Sequence, residues 1–269
     1  MNSSGDRAGD VSDEAKRAAA KAGDHPVVEW GARLGYGASG VLHLLIAYLT
    51  ARIALGRGGQ EASQSGALAT LAEEPVGQVL LWVIAAGFTL LALWQLTELV
   101  VRHEASDKAK AGGKLVLYGA LAWTSFTFAS GGRTSTNQQT KEFTVTLMEA
   151  PGGRVLVGLV GVAVIGIAAY HVDKGWRKRF LGDLQEHPGR SVVLVARVGY
   201  IGKGIALAAV GVLFITAAIQ QRAGKATGLD GGLRSMRDLP AGTVILLGIA
   251  LGLAAYGVYS FARARYARV

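Results

Sequence analysis

The sequence predicts an all-α membrane protein of six transmembrane helices, arranged as three parallel two-helix repeats in a pseudo-threefold bundle. Three observations carry this. Of 269 residues, 51% are hydrophobic and only 17% charged, and the apolar residues are gathered into long runs instead of alternating at strand or amphipathic-helix period. A short stretch recurs at a fixed interval: Arg33, Gly35 and Tyr36, then Tyr118, then Arg197, Gly199 and Tyr200, with the tyrosines 82 residues apart both times. A second motif, acid-x-Pro-x-Gly-x-Val, recurs around Pro75, Pro151 and Pro240.

Taken in order, residues 1–28 are rich in Ser, Gly, Ala, Asp and Lys and lack an apolar run, so they read as a polar, disordered cytoplasmic tail and not as a signal peptide. Three repeats follow, over 29–108, 109–190 and 191–269, each with two spans. The spans fall at 34–55, 77–101, 115–129, 155–172, 198–219 and 243–261. A hydrocarbon core of about 30 Å takes about 20 helical residues to cross, so the third is short by this count and must borrow polar residues at its ends.

The proline motif opens the second span of each repeat. Residues 70–80 and 146–156 match at seven of eleven positions. Proline lacks the backbone donor that would be unpaired in a helix's first turn, and an acid suits the positive end of the helix dipole, so the motif reads as a helix start. Nineteen residues after each proline stands an aromatic, Trp94, Tyr170 or Tyr259, at the depth where amphipathic rings anchor to the interface. Between the two spans of each repeat runs a polar, glycine-bearing loop ending in a short apolar pair: Leu68 with Leu71, Phe143 with Leu147, Leu233 with Met236. Spacings of three and four put each pair on one helical face, which predicts three short helices lying against the bundle. The glycines at 56–59 follow no strand and precede no Gly-Lys-Ser/Thr, so they form no phosphate loop.

Charge sets the orientation. Lys and Arg number 18 on the side of the termini and 9 on the other, with Lys203 left inside a span. Basic residues concentrate in cytoplasmic loops, which places both termini in the cytoplasm and the protein in the cell's inner membrane. The formal charge of +9 then records topology instead of nucleic-acid binding. The run Lys174, Arg177, Lys178 and Arg179 is a candidate contact for anionic lipid head groups. With no cysteine, disulfides, thiolate metal sites and a cysteine nucleophile are excluded, and no cofactor motif or metal-ligand spacing is present.

The arginine-glycine-tyrosine opening, the acid-x-Pro-x-Gly helix starts and the stretch from His171 to Phe180 (HVDKGWRKRF) together resemble a bacterial membrane family, found mostly in actinobacteria and catalogued as domain of unknown function 1206. The resemblance covers nearly the whole chain after the tail and implies three two-helix units, with no activity to carry over. The second repeat departs from the pattern, with Leu115 where Arg33 and Arg197 stand.

An ionisable group inside a span is by default a functional candidate. Lys203 aligns through the repeat with Ser39 and Leu121, and His43 lies one turn deeper. If the first helices line the axis, Ser39, His43, Thr124, Ser125 and Lys203 share an intramembrane polar pocket; Lys203 can instead snorkel to the interface. Glu98, His171 and Asp173 sit at span ends, where solvated charges are ordinary, and no catalytic constellation unites them. The reading is a non-enzymatic scaffold or accessory protein that binds lipid or a membrane protein partner. The alternative is a small transporter or channel with a polar axis around His43 and Lys203. Continuity of polar side chains along the axis discriminates the two, because conduction needs it and a scaffold needs only a dry, small-residue core.

Overall fold

The computed structural model describes residues 26–101 and 104–266, and within them the chain forms nine α-helices: α1 Pro26–Ala54, α2 Gln64–Ala72, α3 Pro75–Val101, α4 Ala105–Ala129, α5 Thr136–Glu149, α6 Gly153–Trp176, α7 Arg190–Gln220, α8 Leu229–Arg237 and α9 Gly242–Tyr266. Each repeat is therefore long, short, long. The polar tail expected over 1–28 lies, up to residue 25, outside the described residues; its last three residues already belong to α1.

Five of the six long helices are long and apolar enough to cross a membrane. The exception is α4. Its 25 residues reach about 37 Å at 1.5 Å per residue, but its first turns carry Asp107, Lys108, Lys110 and Lys114, leaving only the segment from Leu115 strongly apolar.

The three short helices are present where the loop pattern put them. Ser63 caps α2 by accepting from the Gly66 amide, and Ser135 caps α5 by accepting from the Gln138 amide. The proline motif, however, works differently from a plain helix start. Only Pro75 is the first residue of its helix; α6 and α9 begin two residues after Pro151 and Pro240, past Gly152 and Ala241, both at positive φ. The acids close the preceding short helices, with Glu73 and Asp238 at C-terminal caps and Glu149 as the last residue of α5, so they do not complement the following helix dipole. What the motif's glycine supplies is room. A side chain at Gly77, Gly153 or Gly242 would strike the carbonyls of Leu71, Leu147 or Arg237 and Met236, because the long helix starts against the end of the short one.

The long helices pack in the order α6, α7, α9, α1, α3, α4. Three of these contacts join successive repeats (α3 to α4, α6 to α7, α9 to α1), and two join the helices of one repeat (α1 to α3, α7 to α9). The sixth contact that would close the ring, α4 to α6 within repeat 2, is at most marginal among the described residues.

The two intra-repeat contacts are made by glycine. A Cβ on Gly35 would run into the Leu91 side chain and the Gly87 carbonyl, and one on Gly199 would lie 2.6 Å from the Tyr256 Cα. Gly202 and Gly252 meet backbone to backbone in the same way. In repeat 2 the matching residues are Leu117, Ala120 and Ala163, which removes the close approach.

Candidate functional site

At the end of the bundle that carries the termini, the recurring tyrosines Tyr36, Tyr118 and Tyr200 come from α1, α4 and α7 and gather around one guanidinium. Arg263 of α9 stands 4.4 Å over the Tyr36 ring, and Tyr118, Tyr200 and Tyr256 also lie within its electrostatic reach. Asp183, in the turn after α6, is 4.0 Å from Arg263 and takes Lys174 at 2.6 Å. The rest of the wall is aromatic: Phe88 stacks on Tyr118 at 6.2 Å, and Phe180, Tyr200, Tyr256 and Tyr259 pack with centroids 5.2 to 6.2 Å apart.

The same register that aligns the prolines also aligns Glu98, Lys174 and Arg263, one ionisable group near the end of each second long helix. All three lie within electrostatic reach of Lys114 on α4. This set was missed in the sequence because its members differ in sign and Arg263 was counted only as a topology charge; the offset between the prolines would have found it. Tyr259 was misplaced for a related reason. It is wholly buried among Phe180, Tyr200 and Tyr256 and anchors no interface, whereas Tyr170 is half exposed and Trp94 packs against the core.

Of the candidate pocket residues, the structure brings three together. His43 Nδ1 donates to the Ser39 carbonyl at 2.7 Å, leaving Nε2 as an acceptor, and its ring lies 4.6 Å from Tyr256. Lys203 places its ammonium 4.1 Å over the opposite part of that neighbourhood, on the Tyr256 ring, with His43 and His171 in electrostatic reach. The side chain therefore turns onto the Tyr256 ring. Thr124 and Ser125 bond back to their own helix, Thr124 to the Ala120 carbonyl and Ser125 to that of Leu121, and no hydrogen bond or ring contact among the described residues joins them to this group.

The basic run after α6 is partly occupied by the protein's own acids. Lys174 is engaged by Asp183, while Arg177 and Arg179 share Asp173 at 2.7 and 3.2 Å; Lys178 is exposed at a positive φ. The repeat arginines do different things, Arg33 donating to the Arg265 carbonyl and Arg197 lying over Trp176.

The opposite end is closed by a polar ring that the sequence did not announce. One helix start from each repeat contributes. Ser65 accepts from the Thr136 amide, Asn137 donates to Asp230, and Asp230 accepts from the Ala62 amide and from Arg234. Glu61 lies at the start of α5, accepting from Ser63, Ser65 and Ser135. Both carboxylates are satisfied by helix N-termini, hydroxyls and a guanidinium, which fits a seal better than a cation site.

The family described as Domain of Unknown Function (DUF1206) matches the chain three times, over residues 34–101, 109–178 and 198–267. The chain belongs to this family. Its three matches coincide with the three long-short-long units, so the DUF1206 unit is a helical pair with a short helix between. The chain is also 29% identical over 255 residues to an uncharacterized protein of Bacillus subtilis (strain 168), YxxB, covering 90% of this chain and 92% of that one. No solved structure matches. Among the described residues no cluster of His, Asp and Glu could hold a metal ion. What this end of the bundle offers chemically is a packed, cation-rich aromatic cluster, with Lys174 and Arg263 at Asp183 and with Lys114 in electrostatic reach of Asp183 and Glu98.

Proposed function

We propose that this is a non-conducting, non-enzymatic membrane protein of six spans in a pseudo-threefold bundle, whose tyrosine- and cation-rich end faces the cytoplasm and binds an anionic membrane ligand. Both termini face the cytoplasm in this reading, in keeping with the 18 to 9 asymmetry of basic residues. The observation that carries the reading is what lies beyond His43. Toward the short-helix end, Ile46, Leu49, Leu68, Leu81, Leu233 and Leu246 fill the interior, each no more than 1% exposed, in one contiguous core drawn from α1, α2, α3, α8 and α9. Thr50, buried among them, spends its hydroxyl on the Ile46 carbonyl of its own helix. A conduction path needs polar groups at successive depths, and here the polar cluster ends on a dry block capped by the polar ring.

The test is flux in reconstituted vesicles. Protein-dependent movement of protons, potassium or small solutes should be absent. Flux that disappears in both His43→Ala and Lys203→Gln, with melting temperatures held, would replace the scaffold with a transporter. Orientation is checked separately in this cysteine-free chain: Ser106→Cys and Ser191→Cys should label from the cytoplasmic side, and the exposed Gly58→Cys and Ser130→Cys from the other. Labelling of Gly58→Cys from the cytoplasm reverses the assignment.

A further inference from the structure

The two walls of the open seam in repeat 2 can be read position by position against the closed ones. On the first helix of each repeat, Gly35, Ala38 and Leu42 of α1 and Gly199, Gly202 and Ala206 of α7 are buried against the partner helix, while the matching Leu117 and Ala120 of α4 are exposed and Thr124 is partly so. On the second helix, Leu91 and Tyr256 are 0% and 7% exposed; their counterpart Ile167 of α6 is 50% exposed. The unpacked faces are thus the two that face each other across the seam. A ring of helices closed everywhere else is open to the bilayer at one place.

The charge at the terminus end of this seam selects its occupant. Lys110 and Lys114 stand on α4 and Lys174 on α6, and Arg263 and Lys203 lie behind them in the aromatic cluster. Asp107 pairs with Lys110 at 2.9 Å and Asp183 with Lys174 at 2.6 Å, and together with Glu98 these three acids offset part of the five cationic charges and leave the end net positive. Like charges on facing walls oppose closure by direct helix contact and favour an anion between them. A transmembrane partner helix or a second copy would have to bring that anion to the same depth, whereas an anionic phospholipid already carries a phosphate at the leaflet surface with an acyl chain directly below it.

We infer that the seam between α4 and α6 is a lateral binding site for one anionic phospholipid, its phosphate held by Lys114 with Lys174 and Arg263, and an acyl chain lying against Leu117, Ala120 and Ile167. The inference rests on the proposed binding function and assigns its ligand class and its route of entry.

Native mass spectrometry tests it on the full-length protein exchanged from nanodiscs holding phosphatidylglycerol and phosphatidylcholine with matched chains. Wild type should retain one phosphatidylglycerol per chain in preference to phosphatidylcholine. Lys114→Gln should lower that occupancy about fivefold, the ratio expected for one basic residue at a membrane surface. Ala120→Trp, at an exposed position, should lower it by filling the chain's place, and Arg190→Gln, an exposed cation elsewhere on the same end, should leave it unchanged. Melting temperatures within the wild-type range show that the variants fold. Equal retention of the two lipids, or occupancy indifferent to both Lys114→Gln and Ala120→Trp, overturns the seam site; if phosphatidylglycerol is then still selected, the general binding function survives and only its location is wrong. A dimer whose formation depends on Leu117 and carries no lipid would assign the seam to a second copy and overturn the inference as well.

Discussion

Repeats 1 and 3 close their helix pairs, and repeat 2 does not, although all three match the same family unit. The difference comes down to a handful of side chains. Where repeats 1 and 3 have Gly35 with Gly87 and Gly202 with Gly252, repeat 2 has Leu117 with Ala163 and Ala120. Without an aqueous driving force between apolar helices in lipid, close approach of small residues decides whether a pair forms. Repeat 2 also adds Lys110 and Lys114 to one wall and Lys174 to the other, with Asp107 and Asp183 pairing two of the three, so it lacks the close approach and keeps a net positive charge at this end. A repeat that departs from its sisters at the packing positions, while keeping its tyrosine and its proline corner, is one that has kept the scaffold and given up the closure.

The largest effect should come from forcing this contrast. Gly199→Leu places its Cβ against the Tyr256 backbone, which cannot move aside, and should cost about 3 kcal/mol or prevent folding outright. Gly35→Leu meets the Leu91 side chain first and the Gly87 carbonyl at 2.8 Å, one backbone atom instead of several, and should cost about 2 kcal/mol. At the matching position of repeat 2, Leu117→Ala should change stability by no more than about 0.5 kcal/mol, as for an exposed site. Thermal melts in one detergent rank the three. A loss at Leu117→Ala comparable to that at Gly35→Leu would mean that α4 and α6 do pack, and the contrast between repeats would fall.

If α4 and α6 do not hold repeat 2 together, the polar ring at the short-helix end must share that task. Asp230 is 3% exposed and links the Ala62 amide of repeat 1, Asn137 of repeat 2 and Arg234 of its own helix. Asp230→Ala strands the buried Ala62 amide, while the half-exposed Arg234 can turn to water, and should cost about 2 kcal/mol. Asn137→Ala should cost about 1 kcal/mol or less, because the donor it loses is partly offset by removal of a buried oxygen, Oδ1, that has no partner. Should the two cost the same, repeat 2 is held by something other than this ring.

The fold was largely legible in the sequence because lipid leaves few options for long apolar runs, and because a register repeated three times is hard to produce by chance. The short helices were legible from pairs such as Leu68 with Leu71. What the sequence hid were relations between residues on different helices. Glu98, Lys174 and Arg263 share a register but no chemistry, Tyr259 sits at interface depth yet points inward, and the ring around Asp230 is made from loop residues whose partners are far apart in the chain. The proline motif was visible, but its glycine serves a corner between two helices and its acid belongs to the helix before, which spacing alone does not separate.

The smallest predicted effect concerns Lys203, where the repeats differ by type of residue: serine in repeat 1, leucine in repeat 2, lysine in repeat 3. A snorkelling lysine would tolerate any polar replacement, since water and lipid phosphates satisfy either group. Its ammonium instead lies 4.1 Å over the Tyr256 ring, where a partly desolvated cation–π contact contributes about 1 kcal/mol. Lys203→Arg should keep that contact and melt within the wild-type range, while Lys203→Gln should lose about 1 kcal/mol without loss of expression. The control is Tyr256→Leu, in which the ring is gone: there Lys203→Gln should cost less than in the wild-type background, and a double-mutant cycle reads the difference. A coupling near zero would mean that the lysine gains nothing from the ring and that its inward course is set by packing alone. A coupling of the expected size would make repeat 3 the unit that sets a cation on the aromatic cluster, a role its sister repeats, with serine and leucine at that position, do not share.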